Sequence, residues 1–155
     1  MTTPESKVFI SGNLEGLYCS QKNVSELIEV LIAAEPSLEN QLKSRQVNLT
    51  FITKNEIKEL NSKFLNKDQP TNVLSFPSNE LDFDERLLGD IAICPEIISN
   101  EADDQNKDRQ NHLFHIILHS LLHLAGYDHQ DDTSAEKMES IEIEALKKLG
   151  IANPY

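Results

Sequence analysis

The stretch from Asn111 to His129 constrains the fold more than any other part of the chain. Between Asn111 and Ala125 the apolar residues Leu113, Phe114, Ile116, Ile117, Leu118, Leu121, Leu122 and Leu124 cover nearly the whole circumference of a helix. Such a helix has to be enclosed on most sides, so the rest of the 155 residues must be built around it. Its remaining stripe is histidine. All five histidines of the chain lie between His112 and His129. At about 100° per residue, His115, His119 and His123 fall within about 60° of His112 on the helical wheel.

His119 and His123 are one turn apart on a single face, where two imidazoles can grip one ion. Gly126 supplies the left-handed residue that a helix needs in order to end and turn back, and the turn brings His129 round as a third ligand. Three neutral imidazoles suit Zn²⁺ with the fourth position left to water, and a water so bound ionises near neutral pH. The arrangement predicts hydrolysis rather than a structural clip. A lone His-x3-His pair is common in helices. The complete string, with a glycine between the second and third histidines, has the spacing H-x-x-x-H-x-x-G-x-x-H of the metzincin proteases. Those enzymes place a general-base glutamate directly after the first histidine, where this chain has Ser120, and serine cannot act as a carboxylate base. His112 and His115 are read as outer-shell or exposed residues, not ligands. Asp128 either orients His129, accepts a proton from the metal water or closes the turn, with turn closure preferred. Asp90 is either a partner for a ligating histidine or a strand-entry turn residue.

The length suits one domain, able to bury about two-thirds of the unfolded chain's surface. No tract approaches the ~18 apolar residues of a membrane span, and Met-Thr-Thr-Pro-Glu-Ser-Lys lacks the features of a signal peptide, so a cytoplasmic protein is expected. Cys19 and Cys94 are far apart and are expected as buried free thiols. A formal charge of −12 argues against long-range attraction to nucleic acid, so an RNA substrate would have to be bound locally and guided to the site.

In chain order, Lys7 to Ser11 is expected as a strand ending at Gly12, and Ser25 to Glu35 as a helix stopped by Pro36. Val47, Leu49 and Phe51 alternate in a second strand, and Asn55 can cap a helix to about Leu65. Along it Lys54 and Lys58 share a face, and Lys63 and Lys67 bracket its end. This is a solvated mixed-charge helix or a modest substrate contact. Pro70 to Pro77 reads as an edge strand, Glu80 to Arg86 as an acidic surface loop, and Leu88 to Cys94 as a further strand. A short helix follows Pro95. Thr133-Ser-Ala-Glu136 reads as a capping box opening a last amphipathic helix, which packs the core and carries no chemistry.

The string His119-Ser-Leu-Leu-His-Leu-Ala-Gly-Tyr-Asp-His129 resembles the signature of the YbeY family, bacterial endoribonucleases of ribosomal RNA maturation. Leu60-Asn61, Asp68, Pro70-Thr-Asn-Val-Leu-Ser-Phe-Pro77, Leu88-Gly-Asp-Ile-Ala-Ile-Cys-Pro95 and the stretch from Gly150 to Pro154-Tyr155 are similar to that family in the same order. The resemblance covers most of the chain from about Val47 onward. It implies a single α+β domain over residues 1–155, a mixed sheet of about four strands flanked by helices, and a zincin-like metal helix at the centre. It also implies one Zn²⁺ held by His119, His123 and His129, and cleavage of single-stranded RNA in 16S rRNA 3′-end maturation and ribosome quality control. The implied partners are ribosomal RNA, the small ribosomal subunit, and one of its proteins or the GTPase Era, with no membrane and no DNA. Two positions depart from the family pattern. Ser120 replaces a glycine, which a helix tolerates. Phe64-Leu65 stands where the family has Tyr-Arg, so the arginine thought to face the RNA phosphate is missing, and a leucine cannot neutralise phosphate. Lys63 or Lys67 can stand in as a point charge. The catalytic base has no assigned residue. The rival readings are a zinc peptidase-like hydrolase and a non-catalytic ribosome-assembly factor that retains a zinc site.

Overall fold

The computed structural model describes residues 7–78 and 86–155. Among them run strands β1 (Lys7–Gly12), β2 (Gln46–Phe51), β3 (Val73–Pro77) and β4 (Leu87–Ile93). The helices are α1 (Gln21–Ala34), α2 (Glu39–Leu42), α3 (Lys54–Leu65), α4 (Pro95–Asp104), α5 (Arg109–Leu124) and α6 (Asp132–Lys148), with a 3₁₀ turn at Pro36–Leu38. The acidic stretch from Glu80 lies, apart from Arg86, outside the described residues.

The strands form one mixed sheet in the order β1-β2-β4-β3. β1, β2 and β4 are parallel, and β3 closes one edge antiparallel to β4. An α+β architecture with a four-stranded mixed sheet is therefore present. Alternation along the strands divides the core. Val8, Val47, Leu49, Phe51, Ile91 and Ile93 join a large cluster with α1, α5 and α6, while Leu74, Ala92 and Cys94 join Ile57 of α3 in a small one. Helices thus cover both faces, but unequally. α5 meets α1, α4, α6, β3 and β4, and its residues Leu113, Ile117, Leu118, Leu121 and Leu122 are fully buried. This is the enclosure that its apolar circumference demands.

Several boundaries differ from the sequence reading, each for a capping reason. α1 begins at Gln21 because Ser20 accepts the Asn23 N–H and the Asn23 side chain returns to the Ser20 N–H. α3 is capped by Thr53 and Glu56 in the same reciprocal way, not by Asn55. α6 starts at Asp132 because the Asp131 carboxylate accepts the Ser134 N–H at 2.8 Å, a charge-assisted alternative to the Thr133 box. Both cysteines are free and buried, as expected.

Gly89 brings β4, β3 and the end of α5 together. It pairs with Pro77, and a Cβ added there would lie 2.5 Å from the Phe76 carbonyl oxygen and 2.7 Å from Leu124 Cδ2. The backbone oxygen cannot withdraw. Gly89→Ala should lower stability by roughly 1–3 kcal/mol, an overpacking cost, in urea unfolding. An unchanged midpoint would show that the strand pair has slack there.

Candidate metal centre

α5 starts where the Asp108 carboxylate accepts the Asn111 N–H at 2.9 Å, and it stops at Ala125. Gly126 then adopts φ +100°, its N–H reaching the His123 carbonyl at 3.0 Å, while the Tyr127 N–H reaches the Leu122 carbonyl at 3.0 Å. This pair of bonds is the Schellman termination, and it turns the chain back across the helix end. The consequence is that His129 returns to the two histidines of α5. One ring nitrogen from each of His119, His123 and His129 falls within 4.8 Å of the others. The ring centroids are 4.5 Å (His119–His123), 5.2 Å (His123–His129) and 5.6 Å (His119–His129) apart.

The second nitrogen of each of the two α5 imidazoles in this cluster is already engaged. His123 Nδ1–H donates to the Tyr127 carbonyl at 3.0 Å, and His119 Nδ1–H donates to the Glu142 carboxylate. Those partners assign the tautomers and leave both Nε2 atoms bare, facing each other at 2.9 Å. Two lone pairs at that distance repel unless a cation lies against them. The donor set therefore fits a metal ion, with His129 on the exposed side as the third nitrogen. Burial, with His119 and His129 close by, lowers the pKa of His123, which keeps its ring in the neutral form that a metal requires.

Glu142 is the functional residue that the sequence reading missed. It projects from α6, the helix taken to be chemically silent, and is completely buried. Besides His119 it accepts the Tyr155 O–H at 2.5 Å, and His115 Nε2 lies 3.8 Å away. Burial pushes its carboxyl up, but the bonds from His119 and Tyr155 outweigh that and hold it below its ordinary range. The signal was present in the sequence: Glu142 interrupts the apolar stripe of Met138, Ile141, Ala145 and Leu146.

His112 and His115, expected as outer-shell or exposed, are both buried, at 6% and 8% exposure. The stripe they occupy is covered by α4 and by residues 151–155. His112 Nε2 contacts Glu101 of α4 at 3.1 Å, and the His115 ring stands edge-on to Tyr155. Burial pushes the His115 pKa down to about 4, so that ring is neutral at physiological pH. Asp90 is exposed and accepts from Asn48 at 2.8 Å, so the partners of His119 and His123 are Glu142 and Tyr127 instead. Asp128 accepts the Gln130 N–H at 3.4 Å within the turn. Lys63 and Lys67 are exposed, the Lys63 ammonium lying 5.3 Å from the Phe64 ring centroid. Phe64 packs edge-to-face on Phe76, and Leu65 is 51% exposed, presenting an apolar surface at the end of α3.

The family model of the endoribonuclease YbeY matches residues 11–150. The chain belongs to the YbeY family. Curated relatives named endoribonuclease YbeY in Francisella tularensis subsp. novicida strain U112 and subsp. tularensis strain SCHU S4 are each 47% identical over 121 residues. Those alignments cover 75% of this chain and 75% and 72% of the relatives. The solution structure of TM1509 from Thermotoga maritima matches with a TM-score of 0.58 at 30% identity, covering 92% of this chain and 91% of that one. Within the YbeY pattern, Ser120 is fully buried with its hydroxyl unpartnered, so it faces the core and not the histidine cluster.

Glu101 joins α4 to the site helix through His112 and to the loop before β3 through Asn72 at 3.1 Å. Burial raises its pKa, but the bonds from His112 and Asn72 more than offset this and lower it. A carboxylate with a depressed folded pKa contributes stability above its unfolded pKa and loses it as pH falls through the folded value. The stability difference between the native chain and Glu101→Gln should therefore be largest near neutral pH and shrink below about pH 4.5. Urea titrations from pH 6 to pH 3 test this. A difference constant across that range would contradict it.

Proposed function

We propose that this chain is a zinc-dependent endoribonuclease, a single domain over residues 1–155 with a zincin-like central helix. It cuts single-stranded RNA in the cytoplasm, during 16S rRNA 3′-end maturation and ribosome quality control. The observation that carries the reading is the cluster of His119, His123 and His129, with both α5 imidazoles committed through Nδ1 and bare at Nε2. Membership of the YbeY family supports RNA as the substrate. Zinc is chosen because three imidazoles with an open position suit it and it is redox-silent. When bound, it supplies Lewis acidity toward a phosphoryl oxygen and a water acidic enough to attack near neutral pH.

The chain's own contribution is to hold the three nitrogens on rigid supports and to keep the His123 ring neutral. α5 fixes two of them by enclosure, and the Gly126 turn fixes the third. A peptidase reading loses its proton carrier, since Ser120 is buried away from the cluster and the nearby carboxylate, Glu142, is spent on His119. Leu65 offers no charge for phosphate, so Lys63 and Lys67 are the candidate contacts to the RNA backbone. With a net charge of −12, delivery by the small ribosomal subunit, by one of its proteins or by the GTPase Era is the expected route to substrate.

The test is metal content together with cleavage of a small-subunit RNA precursor, for native protein, His123→Ala and Leu65→Arg purified in parallel. Native protein should hold about one zinc per chain and cut the RNA, and His123→Ala should lose the metal and at least ~100-fold in rate. Cleavage by His123→Ala at the native rate would overturn the assignment. If zinc binds but only Leu65→Arg cuts, the chain keeps the site without turnover, and the assembly-factor reading replaces the enzymatic one.

A further inference from the structure

Glu142 is a fully buried carboxylate that, among the described residues, meets His119, Tyr155 and His115 and no lysine or arginine. An ionised carboxyl in the core costs several kcal/mol unless its oxygens are satisfied. Here one oxygen takes the His119 Nδ1–H and the other takes the Tyr155 O–H. The carboxylate therefore bears on the His119 ring directly, and Tyr155 bears on it through the carboxylate.

The route by which Tyr155 reaches this spot is built into the fold. α6 ends at Leu149, Gly150 takes φ +74°, and the Ile151 N–H bonds the Leu146 carbonyl at 3.0 Å, a second Schellman turn. The segment that follows is tied down where Lys107 Nζ donates to the Pro154 carbonyl at 2.7 Å and where the Asn153 side chain accepts the Tyr155 N–H at 2.9 Å. Tyr155 as a whole is 59% exposed, yet its hydroxyl sits on a carboxylate that water does not reach. Its ring packs edge-on against the buried His115, which fixes the direction of that hydroxyl.

The two α5 imidazoles are thus supported unequally. His123 donates to a neutral carbonyl, His119 to an anion. A carboxylate on Nδ1–H makes Nε2 more basic and locks ring rotation, whereas a carbonyl mainly sets the tautomer. We propose that Glu142 and Tyr155 are positioning residues that make His119 the stronger of the two α5 ligands, with residues 151–155 acting as a strap that holds the carboxylate in line. The inference rests on the metal reading above. It assigns chemistry to α6 and to the 151–155 segment.

The test is zinc affinity by competition with a chromophoric chelator for native protein, Glu142→Gln, Tyr155→Phe and the double variant. It is combined with nitrogen-15 NMR of the histidine rings and circular dichroism of the metal-free proteins. Glu142→Gln should weaken zinc binding roughly 10–100-fold with unchanged secondary structure, and should move the His119 Nδ1 resonance while leaving His123 in place. Tyr155→Phe should lose less, up to about tenfold, and should add nothing to Glu142→Gln, since it acts through the same oxygen pair. Where Glu142→Gln fails to fold, Tyr155→Phe decides the matter, because its side chain is largely at the surface. Native zinc affinity in both single variants overturns the positioning role. Additive losses overturn the relay through Glu142. Failure of native protein to bind zinc at all overturns the metal reading, and this proposal with it.

Discussion

Everything in this fold answers to the burial of one helix. α5 is apolar on nearly every side, so it is stable only if sheet and helices enclose it, and β3, β4, α1, α4 and α6 do so. The polar residues that it carries inward are four histidines and Ser120, and three of the histidines meet an acceptor on a neighbouring segment. Glu101 of α4 meets His112, Glu142 of α6 meets His119, and the Tyr127 carbonyl meets His123. The enclosing elements therefore bring hydrogen-bond acceptors as well as apolar cover. Without those acceptors more ring nitrogens would join the two of His115, which have no hydrogen-bond partner among the described residues.

The same partners decide what the helix can do. Acceptors on the Nδ1 side turn two imidazoles into Nε2 ligands aimed at one point, and the Gly126 turn adds the third from outside the helix. Rigidity comes from packing and tautomer from hydrogen bonds. Such a centre is preorganised before any ion arrives, and the cost of holding bare lone pairs together becomes affinity for a cation. The exposed position of His129 keeps one side of the cluster open to solvent.

What was legible in the sequence follows the same division. The strands, the edge position of β3, the buried helix and the Gly126 turn all rest on local periodicity and on single special residues, and all are found. The grouping of His119, His123 and His129 was legible for the same reason, since it depends only on helical spacing and one turn. Glu142 and Tyr155 lie 23 and 36 residues beyond His119, and nothing local marks them as its neighbours. Only the crossing of α6 over α5, and the strap beyond it, put them there. His112 and His115, read as outer-shell or exposed, are not exposed, for a related cause: the wheel places them on the histidine stripe but is blind to what covers that stripe. The start of α6 shifted because Asp131, two residues ahead of the Thr-Ser-Ala-Glu box, caps more strongly than the threonine.

The measurement that tests the central claim most directly is X-ray absorption at the zinc edge on the metal-loaded protein, compared with His129→Ala. Three imidazole nitrogens at about 2.0–2.1 Å with one additional light ligand, and one imidazole fewer in the variant, are the predicted result. Two imidazoles in both proteins, or a sulfur ligand, would contradict a centre built from the end of α5 and the turn that follows it.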